Sequence, residues 1–232
     1  MKIFTNIYKY NLWGFGSGTG SLKFNNEPYI EYLNNFLKEK NDIHSILDIG
    51  CGDWQLNKHI DFTNKEYLGI DIVENVIKKN KILYSKKNIK FLCKNILEFD
   101  LPKADLYIVK DVIQHLSDDN IKILLNKLKK NNRFKYLLII NDVSNLNLNH
   151  FDIPDGMYKP IDITKSPFNL MAKQVLQYSE KIYTLVYFVL LLTCLLLVYI
   201  KGYKLYYFTL LLIIFYGLAI FPKKTVYLIK NE

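Results

Sequence analysis

The stretch Ser45-Ile46-Leu47-Asp48-Ile49-Gly50-Cys51-Gly52 constrains this chain more than any other. A short apolar run that stops at two glycines one residue apart reads as a buried strand entering a tight turn, where a ligand meets main chain rather than side chains. Further on, the run Tyr67-Leu68-Gly69-Ile70 ends in Asp71, a carboxylate spaced to take both hydroxyls of a ribose. The third glycine that a pyrophosphate-binding turn uses is absent, because Gln55 stands at its position. A glycine pair without the third favours an adenosyl ligand that carries no phosphates, and it disfavours a nicotinamide oxidoreductase.

Around this turn the apolar pattern alternates between strand and helix. Pro28 through Lys40 has helical spacing, with Tyr29, Tyr32, Leu33, Phe36 and Leu37 on one face. Trp54–Ile60 reads as the start of a helix and Glu74–Tyr84 as a complete one. Ile89–Cys93, closed by Asn95-Ile96, reads as a third strand, Ala104–Val109 as a fourth and Tyr136–Asn141 as a fifth. Ser117 caps a helix that carries Asp118 and Asp119 in its first turn and runs to about Lys130. Lys173–Glu180 and Thr225–Ile229 alternate as strands. The whole is a doubly wound, mostly parallel α/β sheet, with ligands expected at the carboxyl ends of its strands. Two loops remain. Residues 11–22 are too rich in glycine for helix or strand and read as a lid, with Trp13 closing it. Asn145–Leu170 is polar and turn-rich, and a long connection of this kind in a compact domain is often functional.

Leu47-Asp48-Ile49-Gly50-Cys51-Gly52 followed by Gly69-Ile70-Asp71 resembles the class I S-adenosylmethionine-dependent methyltransferases. The longer string Asp48–Gln55 is similar to a bacterial branch found among surface-polysaccharide genes. The resemblance implies a Rossmann-like sheet of seven strands, the sixth parallel to the others and the seventh antiparallel. It implies S-adenosylmethionine as cofactor, bound by Asp48, Gly50, Cys51, Gly52, Asp53, Trp54, Asp71, Ile72, Asn95, Ile96 and Asp111. Asn95 stands where the family usually carries an acid, so it brings hydrogen bonds without charge. A hydroxyl acceptor needs a general base near the end of the fourth strand, which makes Asp111 and His115 the catalytic candidates. Trp13, Asp152, Tyr158 and Lys159 fall on the acceptor side, with Lys159 where arginine is expected.

Between the last two strands lies a segment of another kind. Ile182–Ile200 and Leu205–Phe221 carry no acidic or basic residue and are joined only by Lys201-Gly202-Tyr203-Lys204. At about 1.5 Å per residue each run approaches the thickness of a bilayer core, and tyrosines crowd the ends as an interfacial belt does. The expected organisation is therefore a methyltransferase domain over 1–181, a transmembrane hairpin over 182–221 and a final strand over 222–232. Lys173, Lys181, Lys223, Lys224 and Lys230 flank the outer ends and place the catalytic domain in the cytoplasm. In the resembled fold the turn between strands six and seven lies at the carboxyl edge, so the hairpin is expected to hold the mouth of the site near the bilayer. Three unpaired cysteines, Cys51, Cys93 and Cys194, form neither a disulfide framework nor a zinc site. The formal charge of +9 comes from lysines scattered singly along helices, a solvated surface and not a nucleic-acid patch. The partners expected are a small-molecule or glycan acceptor and the lipid bilayer. The competing reading is a membrane scaffold that keeps the fold without catalysis.

Overall fold

A computed structural model describes residues 2–130, 133–146, 149–201 and 221–231. Its helices are α1 (Lys2–Lys9), α2 (Glu27–Glu39), α3 (Glu74–Tyr84), α4 (Asp118–Lys130) and α5 (Lys181–Lys201). Its strands are β1 (Ser45–Ile49), β2 (Glu66–Asp71), β3 (Ile89–Cys93), β4 (Leu106–Lys110), β5 (Tyr136–Val143), β6 (Lys173–Tyr178) and β7 (Lys223–Lys230). They form one seven-stranded sheet in the order β3-β2-β1-β4-β5-β7-β6. Neighbouring strands from β3 to β5 pair in parallel. β7 is antiparallel to both β5 and β6. This is the expected mixed topology, with β1 and β4 adjacent at the point where the strand order reverses.

Helices cover both faces, so the central strands are apolar on both sides. Alternation along each strand divides the core into two. Ile46, Leu106, Leu138 and Val226 face Tyr29, Leu33, Phe36 and Leu37 of α2. Leu47, Tyr107, Ile139 and Tyr227 face Ile121, Leu124, Leu125 and Leu128 of α4. The face expected for α2 is thus the buried one, Tyr32 being only partly covered.

The helix expected over Trp54–Ile60 is replaced by a single 3-10 turn, Asn57–His59. Trp54 has φ +61, outside the right-handed helical region. Its ring is drawn instead into an aromatic cluster with Tyr84 at 4.9 Å, Phe91 at 5.6 Å and Tyr67 at 5.7 Å between ring centroids. The chain leaving the glycine turn is thereby committed to the core before a helix can start.

The first apolar run, Ile182–Ile200, lies within α5. Leu185, Val186, Val189, Leu192 and Leu196 are exposed on that helix. Among the described residues no helix is long and apolar enough to cross a membrane. The second run, Leu205–Phe221, lies outside the described residues apart from Phe221. The two roots of the excursion sit together: the rings of Tyr183 and Phe221 stack at 4.9 Å, and Asn145 Nδ2 donates to the Phe221 carbonyl at 3.0 Å. Both roots are at the carboxyl edge of the sheet, the edge that carries the glycine turn.

Ile139 is fully buried on the inner strand β5. Ile139→Ala is expected to lower stability by about 2–5 kcal/mol through lost transfer energy and the residual cavity, read as a reduced denaturation midpoint with an unchanged slope.

Candidate active site

β1 delivers the chain into Gly50, Cys51 and Gly52. Gly50 and Cys51 N–H both donate to the Ile70 carbonyl, at 2.7 and 3.0 Å, which ties the turn to the end of β2. Gly50 has φ +80, and a Cβ there would collide with Val112 Cγ2. Gly52, at φ +55, has no room for one beneath the Ser17 hydroxyl. Both positions therefore require glycine on conformational and steric grounds. Asp71 locks the turn from the neighbouring strand: Oδ2 accepts Gly52 N–H at 3.0 Å and Oδ1 accepts Val73 N–H at 2.9 Å. Burial pushes the Asp71 carboxyl up, and these amide donors oppose it. Asp48 accepts from Tyr67 and, at 2.7 Å, from Asn57 Nδ2, and burial brings its pKa up to about 6.

The glycine-rich segment is folded over this turn. Ser17 Oγ accepts Asp53 N–H at 3.0 Å and lies 2.7 Å from the Tyr8 hydroxyl. Ser17 N–H returns a bond to Asp53 Oδ2 at 3.2 Å. Gln55 Nε2 donates to the Phe15 carbonyl at 2.7 Å, and Lys110 Nζ to the Gly20 carbonyl at 2.8 Å. Trp13 packs on His115, with ring centroids 4.6 Å apart.

The carboxyl ends of β4, β5 and β6 and the start of β7 converge on a buried ion cluster. Lys224 Nζ, in a residue 1% exposed, lies 2.6 Å from Asp111 Oδ1, 2.9 Å from Asp142 Oδ1 and 3.3 Å from Glu180 Oε1. Lys110 pairs with the other oxygen of Asp111. Burial alone would lower Lys224, but its three carboxylates hold it well above the usual lysine value. Burial would raise Asp111, yet Lys110 and Lys224 outweigh it and bring its pKa down to about 2. Glu180 is raised, chiefly by burial. Asp111 also has φ +56, an uncommon conformation for a residue with a side chain and one that gathers at functional sites.

His115 follows in a one-turn 3-10 helix, Ile113–His115. Its Nδ1 lies 2.9 Å from the Met157 carbonyl, which can only accept, so the proton sits on Nδ1 and Nε2 is the basic nitrogen. Burial lowers the His115 pKa and outweighs the carbonyl contact and the nearby acids. Tyr158 stands beside it, ring centroids 6.0 Å apart, and donates to Asp142 Oδ2 at 2.9 Å.

These groups line one cavity of about 560 Å³. Asp48, Gly50, Cys51, Gly52, Asp53, Asp71 and Ile72 form its floor together with Trp54, whose ring points into the core. Asn95 and Ile96 lie on one side. Asn95 Oδ1 accepts Leu97 N–H at 3.1 Å, and its Nδ2 donates to Glu98 at 2.8 Å. Trp13, Asp111, His115 and Tyr158 complete the wall.

Two expected acceptor residues fall elsewhere. Lys159 is 1% exposed and pairs with Asp118 and, at 3.2 Å, with Asp152. Asp152 also accepts Asp118 N–H at 2.8 Å and Ile153 N–H at 2.7 Å. Both residues thus fasten the 150–159 loop to the start of α4, Lys159 fully buried and Asp152 through its Oδ1. Asp111 lines the cavity as a carboxylate clamped by two ammonium groups, which hold its pKa down to about 2. Lys224, expected as a flanking lysine, is buried in the cluster. Sequence reasoning missed Tyr8, Lys110, Asp142 and Glu180 as parts of the wall. For Asp142 the available signal was its position at the end of the fifth strand, and for Glu180 a lone acid two residues before a charge-free run.

Residues 40–188 match the family model described as "Methyltransferase domain". Phosphoethanolamine N-methyltransferase 1 of Arabidopsis thaliana is 28% identical over 89 residues, 36% of this chain, and the match spans only 18% of the plant protein. Among solved structures, coclaurine N-methyltransferase bound to N-methylheliamine and SAH is 14% identical with a TM-score of 0.51, over 88% of this chain and 70% of that one. Human N-acetylserotonin methyltransferase in complex with SAM is 21% identical with a TM-score of 0.48, over 62% of this chain and 42% of that one.

Lys159→Met leaves the buried Asp118 carboxylate without its lysine, only the His150 contact at 2.6 Å remaining. It is expected to cost about 3–5 kcal/mol of stability in chemical denaturation. A variant of unchanged stability with a raised KM for the acceptor would return Lys159 to the acceptor site.

Proposed function

We propose, from the premise that this chain belongs to the methyltransferase-domain family, that it is a membrane-anchored enzyme methylating a hydroxyl of a glycan or other envelope precursor, with S-adenosylmethionine as donor. The observation that carries the reading is that a turn only glycine can make, braced by Asp71, opens into the same cavity as a histidine with its basic nitrogen available. The cavity falls in the range of about 300–1,000 Å³ usual for small-molecule sites. The residues present suit the cofactor. Glycines at 50 and 52 keep side chains away from it, Asp71 and Asp48 offer carboxylate oxygens for its hydroxyls, and Asn95 offers an amide to its base. The sulfonium of S-adenosylmethionine supplies a methyl group that is already activated. The chain then has to align the acceptor, exclude water and remove one proton. His115 is the proton acceptor, oriented by the Met157 carbonyl and by the face of Trp13. The ordered lid over the turn keeps the site dry, and Asp111 is an anionic fixture of the wall.

The anchor reading is supported by the unbroken apolar sequence of 182–200 and 205–221, by the exposed apolar side chains of α5, and by the meeting of both roots beside the cavity. Lys173, Lys181, Lys223 and Lys230 remain as flanking charges and favour a cytoplasmic catalytic domain. The glycan class rests on the resemblance of Asp48–Gln55 and on the anchor.

Titration of the purified chain should show saturable binding of S-adenosylmethionine and of its demethylated product, abolished by Gly50→Arg. Saturable binding of NADH alone would overturn the reading. His115→Ala is expected to lower kcat by about 10²–10⁴-fold while cofactor binding persists. Because the neutral imidazole is the active form and burial lowers its pKa, the rate should hold as pH falls to the ordinary histidine value of about 6.5 and decline only below it. Mass spectrometry of envelope glycans from cells with and without the chain should reveal the loss of one methyl group per acceptor.

A further inference from the structure

Exposed apolar side chains are distributed unevenly over the domain. Ile82 and Leu83 on α3, Ile123 on α4 and Met171 before β6 stand on the flanks or at the amino edge of the sheet. Others gather at the carboxyl edge, from two segments remote in sequence. Tyr10 and the lid's Leu12 and Phe15 are exposed there, and the loop after β5 presents Leu146, Phe151 and Met157. Phe15 is 64% and Met157 58% exposed. The two segments meet over the cavity, since Trp13 stacks on His115 and His115 bonds the Met157 carbonyl. The same loop holds the root of the apolar excursion through Asn145 and Phe221. Apolar groups ringed around a site mouth, continuous with a charge-free run that begins and ends there, mark a surface shaped for lipid more than for water. Lys9, exposed at the end of α1, adds a cation suited to anionic headgroups.

We propose that this rim is a bilayer-docking surface: the lid, Leu146 and the 149–157 segment seat in the lipid interface, and the acceptor enters the cavity from the membrane. The inference rests on the anchor reading above and extends it from the excursion to the mouth itself. An acceptor arriving this way carries a lipid tail that stays in the leaflet while its polar head reaches His115.

Full-length protein in nanodiscs of phosphatidylcholine and phosphatidylglycerol tests this, using a lipid spin-labelled near the headgroup as fluorescence quencher. Phe15→Trp and Met157→Trp report the rim, Ile82→Trp reports the opposite edge, and the parent protein supplies the background from Trp13 and Trp54. Loss of fluorescence at both rim positions and none at Ile82→Trp is the expected result. If the protein resists carbonate extraction yet the rim positions are quenched no more than Ile82→Trp, the docking rim is overturned and the anchor stands. If carbonate releases the protein, the anchor fails and the rim with it.

Discussion

The bond from Gly52 N–H to the Asp71 carboxylate holds this molecule's site together. It joins the ends of two adjacent parallel strands where their own ladder has stopped, and it does so with an ionisable group that is almost wholly buried. A buried carboxylate is tolerated when amide donors replace the water it has lost, and the Gly52 and Val73 amides do this. The turn, the floor of the cavity and the seat of Ser17 all follow from that arrangement. The glycines make the bend possible, while Asp71 makes it permanent.

The opposite wall is built on a different principle. Three carboxyl groups and two ammonium groups are brought together at one edge of the sheet by β4, β5, β7 and β6, four strands that lie side by side in it. Removing so many charges from water is costly, and mutual attraction offsets that cost only when the geometry is good. The cluster therefore ties the ends of its strands to one another, each carboxyl group lying within 3.3 Å of Lys224 Nζ, and it also sets the charge of the cavity wall. Asp111 is the hinge between the two roles, its backbone held in an uncommon conformation and its carboxylate gripped from both sides.

Much of this was legible in the sequence because its causes are local. The strand–glycine turn, Asp71, α3 over Glu74–Tyr84 and β3 over Ile89–Cys93 each follow from spacing within a few residues. The mixed order of the last strands came with the family resemblance. Features that depend on distant partners were not readable. Lys159 and Lys224 are both lysines beside loops, and nothing nearby in sequence says that each ends buried among carboxylates. The helix expected after the glycine turn failed for the same reason, since Trp54 is claimed by Tyr84 and Phe91, residues that only the folded sheet brings within reach. α1 gave too short a pattern to read as a helix, and its buried Ile7 packs close to Gly156, far along the chain.

The stacked rings of Tyr183 and Phe221 bear on how much the connection between them can vary. A chain that departs and comes back through a single doorway leaves the surrounding architecture indifferent to how far it travels in between. Lengthening a flexible connection between fixed ends costs only about 0.6 kcal/mol for each doubling. The connection between these two fixed ends can therefore change in length with the sheet and the cavity unaltered.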